Sequence, residues 1–227
     1  MKFKSIHNNL DIVLVANGPS VSKYKIIKNA IHIGVNRAFH LDNIDLNYLF
    51  IQDGFDREYI KSAISYNKES CVKFFGKIDG TLYNNIPITI PEYFYEDKSI
   101  YKYILSCQFF NYDKLVYDLI SFPLGDFASV IFPAIQFAFW TNPKRIFLVG
   151  CDSVNNGHFY DNKSSLNLDK ILFGWNKVKE FQSIFYPNVE IISINPIGLK
   201  GMFKDIYIEN DTYVDENGNT FNINKKE

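Results

Sequence analysis

At 227 residues the chain can form one large domain with a sizeable core, and it needs neither a metal nor a disulfide to stabilise it. Hydrophobic types make up 47% and charged types 22%, which excludes a disordered or collagen-like chain. The 24 Lys and Arg oppose 25 Asp and Glu, so a formal charge of -1 offers no basic field for nonspecific nucleic-acid binding, and an anionic ligand must be held by a local site.

In chain order, the β-branched run at 11–16 predicts a strand entering the sharp loop Asn17-Gly18-Pro19-Ser20, with a polar turn or helix at 23–28. Strands are predicted at 31–35, ending at Asn36, and at 46–51, ending near Gln52-Asp53-Gly54. A helix after Asp56 finishes over 61–67, and strands are expected at 71–75 and 86–90. The aromatic stretch 93–110 has a weak helical period, and 76–125 reads as a lid or insertion; an irregular connection packed by aromatics competes with that reading.

Residues 128–140, ASVIFPAIQFAFW, are too long for an ordinary strand and predict a buried helix despite Pro133. A turn leads into RIFLV, a strand over 145–149 that ends at Gly150-Cys151-Asp152. A helix over 171–185 and a strand over 189–194 follow. A terminal extension, 205–227, carries a hairpin signal at Asn217-Gly218 that serves as an ornament or a dimer contact. No repeat or Gly/Ser linker divides the chain. The pattern predicts a single Rossmann-like α/β domain over 1–227 with a mostly parallel sheet.

Polar groups recur just beyond strand ends, where ligands collect in open α/β sheets. Asn17, Gly18 and Ser20 form a loop able to receive a phosphate or ribose oxygen, although it is neither a GxGxxG nor a GxxxxGK motif. Asn36 can read a hydroxyl, Arg37 can balance phosphate charge and Asp53 can accept from a hydroxyl. Arg145 reads as structural. In the loop after the 145–149 strand, His158 is the best-placed general base, Asp152 binds a hydroxyl or orients the loop, and Tyr160 donates to phosphate. Ser129, at the start of the buried helix, either meets an anion or caps the helix.

Cys71, Cys107 and Cys151 lack zinc-type spacing and fit isolated thiols in a reducing compartment, so no metal site is expected. Cys151 follows an apolar strand without a local base and reads as a structural thiol rather than a nucleophile. The segment MKFKSIHNNL has no apolar stretch of about 7 to 15 residues, and no run reaches about 18, so a cytoplasmic protein is expected. The 21 Phe and 15 Tyr fit an A/T-biased coding sequence as readily as a stacking function.

Taken in order, VLVANGPSV, GVNRAF, ASVIFPAIQFAFW and LVGCDSVNNGHFYD resemble the bacterial sialyltransferases of glycosyltransferase family 42 and the related domain-of-unknown-function 115 and pterin-diphosphokinase-like proteins, over residues 11–198. The resemblance implies an inverting transfer from a CMP-activated sialic acid. It matches Asn17, Gly18 and Ser20 to the nucleotide-phosphate loop, Asn36 to a cytidine or donor-sugar contact, Ser129 to a donor-contacting hydroxyl and Tyr160 to a tyrosine that assists the departing phosphate. The chain departs from the pattern at Val154, where the family has a second tyrosine, and near Lys170, where it has a histidine. His158 takes the base role in this reading.

Three functions follow as expectations. The first is a glycosyltransferase for a bacterial surface glycan, with a CMP-activated sugar as donor, a glycan acceptor, no tightly bound cofactor and no nucleic acid. It would act at the inner face of the membrane, as a peripheral protein or a homo-oligomer. The second is ATP- and Mg²⁺-dependent diphosphate transfer to a pterin-like hydroxymethyl group, with Asp152 or Asp161 near the metal. The third is a non-catalytic nucleotide-binding assembly protein.

Overall fold

The computed structural model describes residues 2–52, 57–67, 70–76, 81–83, 86–88, 98–108, 113–162 and 166–223. Asp53, Gly54, Asp56 and parts of the 76–125 segment lie outside the described residues. The strands are β1 (Asp11–Val15), β2 (Ile31–Val35), β3 (Tyr48–Gln52), β4 (Val72–Gly76), β5 (Thr81–Tyr83), β6 (Ile86–Ile88), β7 (Ile100–Tyr103), β8 (Arg145–Val149), β9 (Glu190–Ile194), β10 (Lys204–Glu209) and β11 (Thr212–Asp215). The α-helices are α1 (Arg57–Ser65), α2 (Ile131–Trp140) and α3 (Leu168–Phe185).

Nine strands form one sheet in the order β11-β10-β9-β8-β1-β2-β3-β4-β7, and β5 and β6 pair as a separate hairpin. Every pairing in the large sheet is parallel except β10 with β11. Parallel strands need helices on both faces, and the short apolar runs supply this by alternating their side chains. Ile12, Leu14, Phe50 and Leu148 meet α2 and α3 on one face, while Val13, Val15, Leu49 and Val149 meet α1 and the connections after β1 and β2 on the other. All ten residues of α2 are buried, which explains a helix with no polar face. Pro133 sits in its first turn, where a missing N–H leaves no intrahelical bond unmade.

The chain runs outward from β1 through β2, β3 and β4, then returns to place β8 on the other side of β1. The reversal between β1 and β8 opens a crevice at their C-terminal ends. Arg145, at the start of β8, donates through Nε to Asp11 and through a terminal nitrogen to Asp11 and the Ile223 carbonyl, locking β1, β8 and the terminal extension together.

Two local expectations change. Within 93–110 the weak helical period gives way to β7, which pairs with β4 at the sheet edge. In the extension the strand-to-strand turn falls at Asn210-Asp211, both at positive φ as a type I′ turn requires, whereas Asn217-Gly218 makes a second turn closed by the bridge from Val214 to Thr220. Among the described residues no helix is long and apolar enough to cross a membrane.

Candidate active site

A cleft of about 250 Å³ lies over the β1/β8 reversal. Its wall comes from the ends of β1, β2 and β8, the turn entering α2, and one face of α3. Asn17, Gly18, Asn36, Ser129, Asp152, His158 and Tyr160 all line it. Ser20 and Arg37 do not, but each touches a residue that does.

The loop after β1 spends its amides internally. Gly18 N–H donates to the Gly150 carbonyl, Val21 N–H to the Gly18 carbonyl and Ser20 N–H to Asp152. These groups are therefore not a phosphate nest. The Ser20 hydroxyl also donates to Asp152, so both carboxylate oxygens are engaged and Asp152, buried, clamps the loop against the end of β8. Gly18 has an ordinary φ of -64, and its value is close approach: a Cβ there would lie 2.5 Å from the Gly150 carbonyl oxygen and from Cγ of Asp152. Asn17 donates from Nδ2 to the Val35 carbonyl at 3.2 Å, tying the β1 and β2 ends together, and its buried Oδ1 has no partner among the described residues.

Asn36 adopts φ of +45 at the end of β2 and accepts the Gln52 N–H on Oδ1 at 3.0 Å. The turn that follows brings Arg37 over two rings, its guanidinium carbon 4.9 Å from the centroid of Tyr59 and 5.2 Å from that of Tyr160. Tyr160 in turn stacks on His158, centroids 5.1 Å apart and planes 16° off parallel. A column of Tyr59, Arg37, Tyr160 and His158 thus joins α1, the β2 end and the loop after β8. Gly157 at φ of +84 and the paired backbone bonds between His158 and Asp161 shape that loop, and Phe159 N–H donates to the Asn17 carbonyl to seat it.

Burial pushes the His158 imidazole below its ordinary value while the Asp161 charge pulls the other way, so the ring is neutral near pH 7 and can accept a proton. Burial raises the Tyr160 phenol against the opposing pull of Arg37, so it stays protonated and can donate. The two groups stacked side by side are poised for opposite proton roles. Desolvation, then the Asp152 charge, push the Cys151 thiol up, which keeps it an inert thiol.

Several groups that line the cleft or support its wall escaped the sequence reading. Phe127 and Ala128 both hold positive φ, +40 and +61, immediately before Ser129, a conformation that costs roughly 1–3 kcal/mol per residue. Asp126 supports it: its carboxylate accepts from Ala128 N–H and Gln52 Nε2, and its carbonyl from Ser129 N–H. Asp126 is itself buried beside Asp113, which pairs with Lys170 at 2.7 Å. Cys107 joins these two acids as a group with metal-ligand spacing, which the cysteine spacing alone did not reveal. Trp175 lines the cleft from α3 and donates to Ser153 Oγ at 3.1 Å, although a lone Trp in an apolar helical period reads as core. Val154 also lines the cleft, whereas Lys170 faces Asp113.

No protein-family model matches the chain, and no curated protein does. Among solved structures, it is similar to that of MAf glycosyltransferase from Magnetospirillum magneticum AMB-1, with a TM-score of 0.50 and 13% identity. The match covers 86% of this chain and 33% of the other, so the chain spans about a third of that protein's length. What the two share is the fold.

Proposed function

We propose that the chain is a nucleotide-sugar-dependent glycosyltransferase that moves sialic acid or a related sugar from a CMP-activated donor to a bacterial surface glycan, in the manner of the family 42 sialyltransferases it resembles. The carrying observation is the cleft at the β1/β8 reversal, where a neutral His158 stacks on a protonated Tyr160. Likeness of fold to a glycosyltransferase supports the same class.

In this reading Asn17 Oδ1 accepts a ribose or sugar hydroxyl, which would complete its unmet hydrogen bond. Asn36 offers its amide N–H groups, and Ser129 presents its hydroxyl at the entry to α2, where the helix dipole favours an anion. His158 takes the proton from the acceptor hydroxyl as the new glycosidic bond forms. The bond from the anomeric carbon to the phosphate oxygen breaks with its electron pair going to the phosphate, which Tyr160 meets with its O–H while Arg37 lies behind the ring. Both carboxylate oxygens of Asp152 accept from Ser20, which supports a loop-holding part for that pair and favours His158 over Asp152 as the base in this reading.

Calorimetric titration with CMP, UDP, GDP and ATP, each with and without Mg²⁺, tests the reading. Saturable CMP binding independent of Mg²⁺, with CMP-sugar hydrolysis lost in His158→Ala, is the expected result. Preference for ATP with Mg²⁺ would transfer the assignment to diphosphate transfer, and no nucleotide binding would remove it.

A further inference from the structure

Away from the cleft, a second cavity of about 290 Å³ opens between α2, β7 and the segment 119–124. Phe3, Phe74, Tyr101, Leu119, Ile120 and Trp140 are among its walls, and its floor is the aromatic cluster in which Phe3, Phe74 and Phe137 pack edge to face or tilted at 4.9–5.7 Å. Its rim is apolar too. Ile120 is 66% exposed, Phe122 54%, and Ile104, beside Tyr103 and bonded through its carbonyl to Leu124, 52%. A lined apolar cavity that continues onto exposed large side chains marks an interaction site rather than ordinary surface.

Charge identifies the occupant. Lys2 lines the mouth and donates to the Tyr101 hydroxyl and the Lys98 carbonyl, which leaves its third ammonium proton for another acceptor. Lys4 lies over the Trp140 ring, 5.0 Å from its centroid. Asp118, on the same rim, accepts from Ile120 N–H. Apolar walls beneath ammonium groups complement an amphiphile with an anionic head. Trp140 stands just before β8, while Tyr103 closes β7 and Ile104 follows it, so the cavity runs along the β7 side of the sheet, and its lining shares no residue with that of the cleft.

We propose that this cavity takes an acyl chain of an anionic membrane lipid, with Lys2 and Lys4 on the head group, so that the protein docks on a bilayer through the β7 side of its sheet. This stands independently of the reaction assigned to the cleft.

Trp140 provides the test. The protein is mixed with vesicles of phosphatidylglycerol and phosphatidylcholine in equal parts, or of phosphatidylcholine alone, and binding is read by sedimentation. In parallel, tryptophan emission is read with phosphatidylglycerol brominated on its acyl chains. Expected are sedimentation with the anionic vesicles alone and bromine quenching that disappears in Trp140→Phe, whose remaining Trp175 lies at the cleft. At about five-fold per lysine, Lys2→Gln with Lys4→Gln should weaken partition about 25-fold. Ile120→Ser with Phe122→Ser, both exposed and tolerant of change, should abolish quenching. Sedimentation without Trp140 quenching would refute chain insertion. Binding of dodecyl phosphate below its micelle concentration without vesicle binding would refute bilayer docking, and no binding of either would refute the site.

Discussion

Replacing Gly18 by alanine isolates the contact that builds the cleft. The backbone there, φ -64 and ψ 149, suits any residue, so a methyl group costs nothing in conformation. It would, however, lie 2.5 Å from the Gly150 carbonyl oxygen and 2.6 Å from Oδ2 of Asp152, closer than carbon packs against either. Overpacking of this kind costs about 1–3 kcal/mol. Lower unfolded-state entropy returns about 0.4–1 kcal/mol, leaving a net loss of roughly 1–2 kcal/mol. At about 2.1 cal/mol/K per residue, a chain of 227 residues has an unfolding entropy near 0.5 kcal/mol/K, so melting should fall by about 2–4 °C. Thermal unfolding followed by circular dichroism measures this. Trimming Asp152 to Ser removes one clash but leaves the Gly150 carbonyl, so Gly18→Ala should still lower melting in that background. An unchanged or raised melting temperature in both backgrounds would refute the close approach of the β1 and β8 loops.

Asp126 makes a pH prediction. Burial, then Asp113, raise its carboxyl above the ordinary 3.8, so its favourable protonated form stabilises the fold below that value and the benefit is lost as pH rises through the folded pKa. Unfolding free energy, measured by urea titration, should fall as pH rises above about 4, and Asp126→Asn should flatten that fall; an unchanged or steeper fall would contradict the assignment. Asp113 has the opposite sign: despite desolvation, the Lys170 hydrogen bond holds it low, so Lys170→Met should cost stability at pH 7 and little at pH 2, as chemical unfolding at the two pH values would show. His158 should titrate below 6.5 by NMR of its ring protons, since desolvation lowers it, and Asp161→Asn should lower it further. Arg145→Ala should lose about 3 kcal/mol in urea unfolding, because Asp11 and the Ile223 carbonyl lose their shared partner while Asp11 keeps partial hydration. A loss within 0.5 kcal/mol, the range of ordinary surface changes, would make the lock decorative.

Much of the scaffold is legible in local sequence. RIFLV becomes β8 with the expected limits, and IHIGV becomes β2, because short β-branched runs bounded by turn residues have few alternatives. Within ASVIFPAIQFAFW the last ten residues, Ile131–Trp140, form a helix as length suggests, while Ala128 at positive φ keeps the first three in the turn that enters it. IYKY carries too little pattern to show a strand and becomes one only because β4 offers an unpaired edge. In the extension, both Asn210-Asp211 and Asn217-Gly218 tolerate positive φ, and the pairing of β10 with β9 decides which one joins the strands.

The cleft divides in the same way. Asn17, Asn36 and the loop from Gly150 to Asp161 follow from the rule that polar strand ends gather over a parallel sheet, so residue types and strand limits brought them into view. The partnerships came only from tertiary structure. Ser20 is 132 positions from the Asp152 it clamps, Gln52 is 74 from Asp126, and Arg37 reaches Tyr160 across the β2 end. Sequence alone determined a parallel α/β sheet and the segments that reach its ligand edge, because hydrophobic period and turn chemistry act over a few residues. Which side chains face the cleft, and which hold its walls, depends on close approach between distant loops, and only the folded chain decides that.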